Sequence, residues 1–190
     1  MLIRHAWLAA LLSLGALLTH PRAGATEFML DPSRTVVAFE MRSMGTLQRG
    51  EFRHTAGTVT LDSAAERGEL AIVIDARSLQ ARNAATTRFV CGPAMLDTAA
   101  HPEIAYRAQH IVFSHGKPAR IEGELTLLGV TRSVPLHVSS YDCSDESAAG
   151  DRCAIVATAH VKRSAFGMTR YMLFASDDVK LAIQAEGVTR

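Results

Sequence analysis

Residues 123–138 read Gly-Glu-Leu-Thr-Leu-Leu-Gly-Val-Thr-Arg-Ser-Val-Pro-Leu-His-Val, and the alternation within them decides the fold. Apolar side chains occupy every second position on either side of a turn, at Leu125, Leu127, Val134, Leu136 and Val138. Two runs of period two separated by residues 129–132 predict a β-hairpin with one apolar face. Gly129 takes a positive φ at such a turn without steric cost. Pro135 has no N–H to donate, so we expect it at an edge or a bulge.

The same alternation recurs along the chain and predicts an all-β, antiparallel sheet curled around an apolar interior. We count about eight to ten strands, spaced as in a barrel or a sandwich. The run from Ile104 to Phe113 changes phase after Ala108, which indicates a bulge. Alternation stops over residues 78–95, where the composition favours a short helix or an irregular crossover that covers one end of the barrel.

The first 25 residues have the features of a signal peptide. Arg4 precedes an apolar run at residues 7–18, and Ala23-Gly24-Ala25 offers small residues for cleavage. The apolar run is too short to span a bilayer, which argues against a membrane anchor, and no later run is long enough. We therefore expect residues 1–25 to be removed and residues 26–190 to form a single exported, soluble domain.

Charge and cysteine content limit the function classes. Loss of Arg4 and Arg22 with the signal peptide reduces the Lys and Arg count from 20 to 18, against 19 Asp and Glu, which leaves a net charge of −1. A nucleic-acid-binding protein would carry a basic surplus. Cys143 and Cys153 flank a polar segment, and an oxidising compartment favours a disulfide between them. Cys91 is left as a free thiol, which we expect to be a buried small hydrophobic residue and not a reactive group.

Catalytic, metal and cofactor sites are not indicated. The histidines show no short metal-ligand spacing. Asp177 and Asp178 are adjacent, so on a strand they point to opposite faces and do not form an acid–base pair. Ser164 lies outside any nucleophile elbow, and no glycine-rich phosphate loop is present.

Several blocks, taken in order, resemble the YceI family. They are Asp31-Pro32 with Val36-Val37-Ala38-Phe39, Arg49-Gly-Glu-Phe52, His101-Pro-Glu-Ile-Ala-Tyr106, residues 125–136, Arg163-Ser164 with Phe166-Gly167-Met168, and Asp177-Asp-Val-Lys-Leu181. This resemblance implies a lipocalin-like, eight-stranded antiparallel β-barrel that holds a long isoprenoid or similar lipid. It also implies a bacterial, usually periplasmic protein with no known enzymatic reaction.

Fifteen apolar residues are candidates for lining the ligand cavity: Phe39, Met41, Leu70, Ile72, Ile74, Met95, Leu96, Tyr106, Phe113, Leu125, Leu127, Leu136, Phe166, Met168 and Ile183. The alternative is that these side chains fill a dry core, because an eight-stranded barrel is just wide enough for either arrangement. A ligand site requires a connected apolar space of a few hundred Å³. Arg163 is the polar residue that we expect to meet a lipid headgroup at the barrel mouth.

The sequence therefore predicts a periplasmic binding or carrier protein for an isoprenoid or another long-chain lipid, without a cofactor, a nucleic-acid partner or a membrane span. Two alternatives stay open. One is a barrel with a filled core that docks to an envelope or stress protein, and the other is a barrel enzyme acting on a lipid-like substrate. The sequence leaves open whether the protein forms a homodimer through an edge or mouth of the barrel.

Overall fold

A computed structural model describes residues 24–144 and 151–189. The predicted signal peptide lies almost entirely outside these residues. Twelve strands, one α-helix and two 3-10 turns make up the described part of the chain. The strands are β1 (Thr26–Leu30), β2 (Val36–Ser43), β3 (Thr46–Phe52), β4 (Thr55–Asp62), β5 (Arg67–Asp75), β6 (Leu79–Ala81), β7 (Glu103–Ser114), β8 (Lys117–Leu127), β9 (Val130–Ser133), β10 (Leu136–Ser144), β11 (Arg152–Lys162) and β12 (Ala175–Thr189). The helix, α1, is Ala84–Cys91, and the 3-10 turns are Ala76–Ser78 and Arg163–Phe166.

Eight strands close into a barrel in the order β1-β4-β5-β7-β8-β10-β11-β12, and β12 pairs back onto β1. All of these pairings are antiparallel, which confirms the predicted eight-stranded antiparallel barrel. The 15-residue strand β12 makes the closure. Its end, Gly187 to Thr189, pairs with β1, while Val179 to Gln184 pairs with β2. Strands β3 and β6 extend the sheet beyond β2.

The hairpin of residues 123–138 is present, but its turn lies earlier than predicted. Leu128 and Gly129 form a two-residue turn with φ values of 54° and 73°, and Leu127 pairs with Val130. The prediction of a turn at residues 129–132 is wrong. The sequence did not indicate a turn at Leu128, because leucine does not favour a positive φ. Pro135 falls in the gap between β9 and β10, where no ladder hydrogen bond is required of it.

The predicted bulge in β7 is confirmed. Its pairing with β8 shifts between Ala108 and His110, and as a result both Ala108 and Ile111 are buried. The extra residue allows the strand to keep its apolar side chains directed into the barrel while it bends with the barrel wall.

The crossover that interrupts the alternation contains α1. Asn83 caps the helix by accepting a hydrogen bond from the backbone N–H of Thr86 at 2.9 Å, and Gly92-Pro93 follows its end. The short helix closes one end of the barrel, as expected. Within residues 24–144 and 151–189, no helix is long and apolar enough to span a membrane.

The disulfide between Cys143 and Cys153 is present. The two cysteines are direct register partners on β10 and β11, with Cα atoms 4.1 Å apart. This confirms the pairing expected from the sequence, and it joins the two strands at the end of the barrel opposite α1.

Candidate functional site

Two apolar cavities lie in line inside the barrel. The larger, which we call the main chamber, has a volume of about 140 Å³ and extends towards the disulfide end. The smaller, the α1 chamber, has a volume of about 100 Å³ and is bounded in part by Val90 of α1. Carbon atoms make up nearly all of the lining of both chambers.

Four side chains separate the two chambers and line both of them: Val37, Ile74, Leu125 and Leu181. They come from β5, from β8 and from the paired strands β2 and β12. We call this set the waist. The two chambers adjoin at the waist.

Strand periodicity explains why the lining is apolar. Successive side chains of a strand point to opposite faces, so every second residue faces the interior. On β5 these residues are Leu70, Ile72 and Ile74, and on β12 they include Leu181 and Ile183.

The structure places thirteen of the fifteen candidate lining residues on the two chambers. The main chamber has Leu70, Ile72, Tyr106, Leu136 and Ile183, the α1 chamber has Phe39, Met41, Met95, Leu96, Leu127 and Met168, and the waist has Ile74 and Leu125. The other two line neither chamber. Phe166 is buried in the packed core, and Phe113 is half-buried beside a second register shift of β7.

Arg163 is buried at the α1 chamber, with 1% of its surface exposed. Its guanidinium group donates four hydrogen bonds to backbone carbonyls: Nε to Ser176 at 2.8 Å, Nη1 to Met168 at 2.9 Å and Arg170 at 2.7 Å, and Nη2 to Ala175 at 3.2 Å. Most of its five N–H donors are therefore used within the protein. These hydrogen bonds stabilise the conformation of the chain at residues 168–176. The contact between Arg163 and a lipid headgroup stays a prediction.

Sequence reasoning missed Thr55, a polar residue in the main chamber. Its side chain is buried, with 2% of the residue exposed, and its hydroxyl has no hydrogen-bond partner among the described residues. A buried hydroxyl without a partner costs free energy. Strand phase could have identified it, because Thr55 lies on the same inward face of β4 as Val59 and Leu61.

Two tyrosines also face the main chamber. The Tyr106 hydroxyl donates to the Val134 carbonyl at 2.8 Å, and burial raises the pKa of its phenol well above the ordinary range. Burial also raises the pKa of Tyr141, whose hydroxyl oxygen lies 3.8 Å from the sulfur of Cys153. Both phenols are therefore neutral at physiological pH, and they add no charge to the interior.

The disulfide end of the main chamber adjoins a more polar groove of about 240 Å³. Phe28, Leu61, Tyr141 and Cys153 line both spaces, and the groove also includes Asp62 and Asp151. The barrel interior thus leads from the α1 end through the waist to a polar rim at the disulfide.

The chamber volumes limit what fits in the conformation observed. The main chamber is about the size of an engineered apolar cavity of roughly 150 Å³ that binds benzene. Neither chamber reaches the few hundred Å³ expected from the sequence for a complete ligand site. A longer hydrocarbon chain would occupy both chambers only if the waist side chains changed rotamer.

The sequence was compared with known families and proteins. A family described as "YceI-like domain" matches residues 28–187. A UPF0312 protein of Yersinia pestis is 27% identical over 184 residues, covering 93% of this chain and 94% of that protein. "Protein YceI" of Salmonella arizonae is 27% identical over 176 residues, covering 90% of this chain and 92% of that protein.

Solved structures share the fold. BcnA of Burkholderia cenocepacia superposes with a TM-score of 0.68 at 20% identity, over 83% of this chain and 98% of that one. A Saccharophagus degradans structure described as a polyisoprenoid binding domain implicated in plant cell wall breakdown has a TM-score of 0.61 at 14% identity, over 86% of this chain and 98% of its own.

Proposed function

Because this chain belongs to the YceI-like domain family, we propose that it is an exported, periplasmic protein that holds a polyisoprenoid or another long-chain lipid inside its barrel. The observation that carries the proposal is the pair of apolar chambers arranged in line on either side of the waist. Their narrow, elongated arrangement suits a flexible hydrocarbon chain better than a compact ring system.

The free energy of such binding would come from burial of apolar surface. Each methylene-sized unit contributes about 0.8 kcal/mol, so ten units contribute roughly 8 kcal/mol before the cost of ordering the chain is subtracted. This gain does not require a charged anchor. The methionines of the α1 chamber, Met41, Met95 and Met168, have unbranched side chains that adapt to a flexible guest.

Binding without catalysis is the role that this lining supports. Among the described residues that line the two chambers, Arg163 is the one with a charged side chain, and its donors are directed at backbone carbonyls. Among the residues that the structure describes, the lining offers no paired nucleophile and base.

Two positions in the barrel suit the polar end of the ligand. The Thr55 hydroxyl offers one donor and its lone pairs inside the main chamber, and the groove at the disulfide end offers a wetter environment. We propose that the lipid lies with its tail towards α1 and its polar end towards Tyr141 and Cys153, since the main chamber meets the polar groove there.

The test is to purify the protein, extract it with organic solvent and quantify lipids by mass spectrometry. We expect close to one lipid per chain. Ala157 is 1% exposed and lines the main chamber, so Ala157→Leu should fill part of that space and lower the lipid content several-fold. Ala182 faces away from the interior on β12, between the two lining residues Leu181 and Ile183, so Ala182→Leu is the matched control.

Two results would contradict the proposal. The first is a protein that carries no lipid and takes up none when lipid is added, which would favour a filled barrel with a docking function. The second is equal lipid content in Ala157→Leu and Ala182→Leu, which would place the lipid outside the main chamber.

A further inference from the structure

Large apolar side chains are exposed together at the α1 end of the barrel. They belong to three segments: the β2–β3 turn, α1 and the loop before β12. Their members are Met44, Phe89, Tyr171, Met172, Leu173 and Phe174, which we call the apolar tip. Leu173 is 93% exposed, Met44 80% and Phe174 59%. Soluble proteins rarely expose such a group without an interaction partner.

Direct contacts make the three segments one surface. The backbone N–H of Met44 donates to the carbonyl of Phe174 at 2.7 Å. The rings of Phe89 and Tyr171 have centroids 5.4 Å apart. The β2–β3 turn and α1 are thus both tied to the loop of residues 171–174.

The charged residues next to the tip in sequence are of one sign. Residues 41–50, 81–96 and 162–175, which contain the three segments, include no Asp or Glu. Each segment has one exposed arginine next to or two residues from the tip: Arg42, Arg88 and Arg170. No ion pair among the described residues involves these three arginines. Asp177, which follows on β12, is already engaged by the backbone N–H and hydroxyl of Ser164.

The tip is carried by the elements that close the α1 chamber. On α1, Val90 lines the chamber while the adjacent Phe89 is exposed. In the loop region Met168 lines the chamber while Leu173 is exposed. α1 and residues 163–174 therefore carry both part of the tip and part of the lining of the α1 chamber.

We propose that the apolar tip docks this protein onto an anionic lipid surface. Aromatic and aliphatic side chains enter the interfacial region of a bilayer, and arginines beside them attract anionic headgroups. The three arginines, with no acidic residue beside them in these stretches of sequence, favour a lipid surface over a second copy of this chain, because two such tips facing each other would bring like charges together. This docking goes beyond lipid binding in the barrel and does not depend on it.

The backbone conformation of the β2–β3 turn indicates that the exposed Met44 side chain is not there to stabilise the turn. Met44 has a φ of 50° and Gly45 a φ of 75°, the geometry of a turn that favours Asn-Gly. Methionine is a poor residue for that conformation. Met44→Asn should therefore keep or improve the turn while it removes an apolar side chain from the tip.

The experiment measures co-sedimentation of the purified protein with vesicles of phosphatidylcholine alone or mixed equally with phosphatidylglycerol. We expect binding to the mixed vesicles that weakens as salt is added. Met44→Asn with Leu173→Ser should weaken binding at least about tenfold. Arg88→Gln and Arg170→Gln should each weaken it about fivefold. Val112→Thr, at a 39% exposed position outside the tip, is the control that should bind like the parent.

Circular dichroism of each variant verifies folding, which the exposure of Met44 and Leu173 should preserve. Ala157→Leu should lose barrel lipid but keep vesicle binding, so failure of the barrel proposal and failure of the docking proposal are distinguishable. The docking proposal is overturned if the parent ignores mixed vesicles or if the tip variants bind as well as the parent. It is also overturned if the tip instead mediates a concentration-dependent dimer that competes with vesicle binding.

Discussion

Gly123 lies directly beneath the ring of Tyr106, and a methyl group at Gly123 would be 2.5 Å from both Cζ and the phenolic oxygen. The space that the glycine leaves lets the Tyr106 hydroxyl reach the Val134 carbonyl. Val134 adjoins Pro135, at the break between β9 and β10 where the ladder is interrupted. Because Gly123 has no side chain, the Tyr106 hydroxyl can donate a hydrogen bond to the carbonyl of Val134, next to Pro135, where the strand pairing is interrupted.

Gly123→Ala should destabilise the protein by about 1–3 kcal/mol, since the added methyl group forces Tyr106 or β8 to move. Urea unfolding measures the difference. Gly116→Asn is the control, because nothing lies within 4 Å of a side chain at that turn position and asparagine tolerates its positive φ. Equal stability of Gly123→Ala and the parent would show that the ring does not cover the glycine.

Thr55→Val should stabilise the protein without ligand by about 1 kcal/mol, because the variant removes a buried hydroxyl without a partner and keeps the shape of the side chain. Thermal unfolding of delipidated protein measures the change. Thr60→Val, at an outward position of the same strand, should have little effect. A loss of stability in Thr55→Val would show that the hydroxyl has a partner after all.

Val37→Phe should shorten the hydrocarbon chain that the barrel accepts, since Val37 belongs to the waist and a phenyl ring would close the passage between the chambers. The measurement is the chain-length distribution of extracted or exchanged lipids. Val156→Phe makes the same change on the outside of β11, at a 37% exposed position, and should leave the distribution unchanged. A full-length distribution in a folded Val37→Phe variant would contradict a chain that passes the waist.

Loss of the Cys143–Cys153 disulfide should cost about 2–4 kcal/mol, because the cross-link restricts the unfolded chain. Urea unfolding of Cys143→Ser/Cys153→Ser, or of the parent with a reductant, measures the loss. Cys91→Ala should respond to the reductant like the parent, since Cys91 is free. If the reductant has the same small effect on the parent and on the double variant, the disulfide does not support the fold.

Asp177 should make stability fall at acid pH. Hydrogen bonds from the backbone N–H and then the hydroxyl of Ser164 hold the pKa of this carboxyl below its usual value of 3.8. A group whose folded pKa is lowered stabilises the protein above its ordinary pKa, and that contribution is lost as the pH falls below about 4. Asp177→Asn should therefore show a smaller drop in melting temperature from pH 7 to pH 3 than the parent.

The neighbour Asp178 supplies the control, since Asp178→Asn changes a carboxylate that accepts no hydrogen bond from a described residue. An acid-induced drop in Asp177→Asn equal to that of the parent would contradict the assignment. Some acid sensitivity should persist, because hydrogen bonds from Ser33 and Arg77 also hold the pKa values of Asp31 and Asp75 below the usual value.

Much of the candidate site could be predicted, because the alternation along a strand decides which of its side chains face the barrel interior. The inward positions of β5 and β12 alternate without interruption, so Leu70, Ile72 and Ile183 could be assigned to the interior from the sequence. Phe113 could not, since a register shift beside it breaks the phase. Thr55 was missed because a threonine at a strand start has no apolar signal.

The sequence by itself determined the antiparallel strands, the bulge of β7 and the disulfide, because alternation and cysteine spacing are local properties of the chain. Alternation left a barrel and a sandwich open, and the eight-stranded barrel was implied by the resemblance to the YceI family. Only the tertiary structure decided the waist, the burial of Arg163 among four carbonyls and the union of three segments in the apolar tip. These features depend on how far side chains from distant strands reach towards one another across the barrel, and that distance is set by the closure of the sheet, which no single stretch of sequence contains.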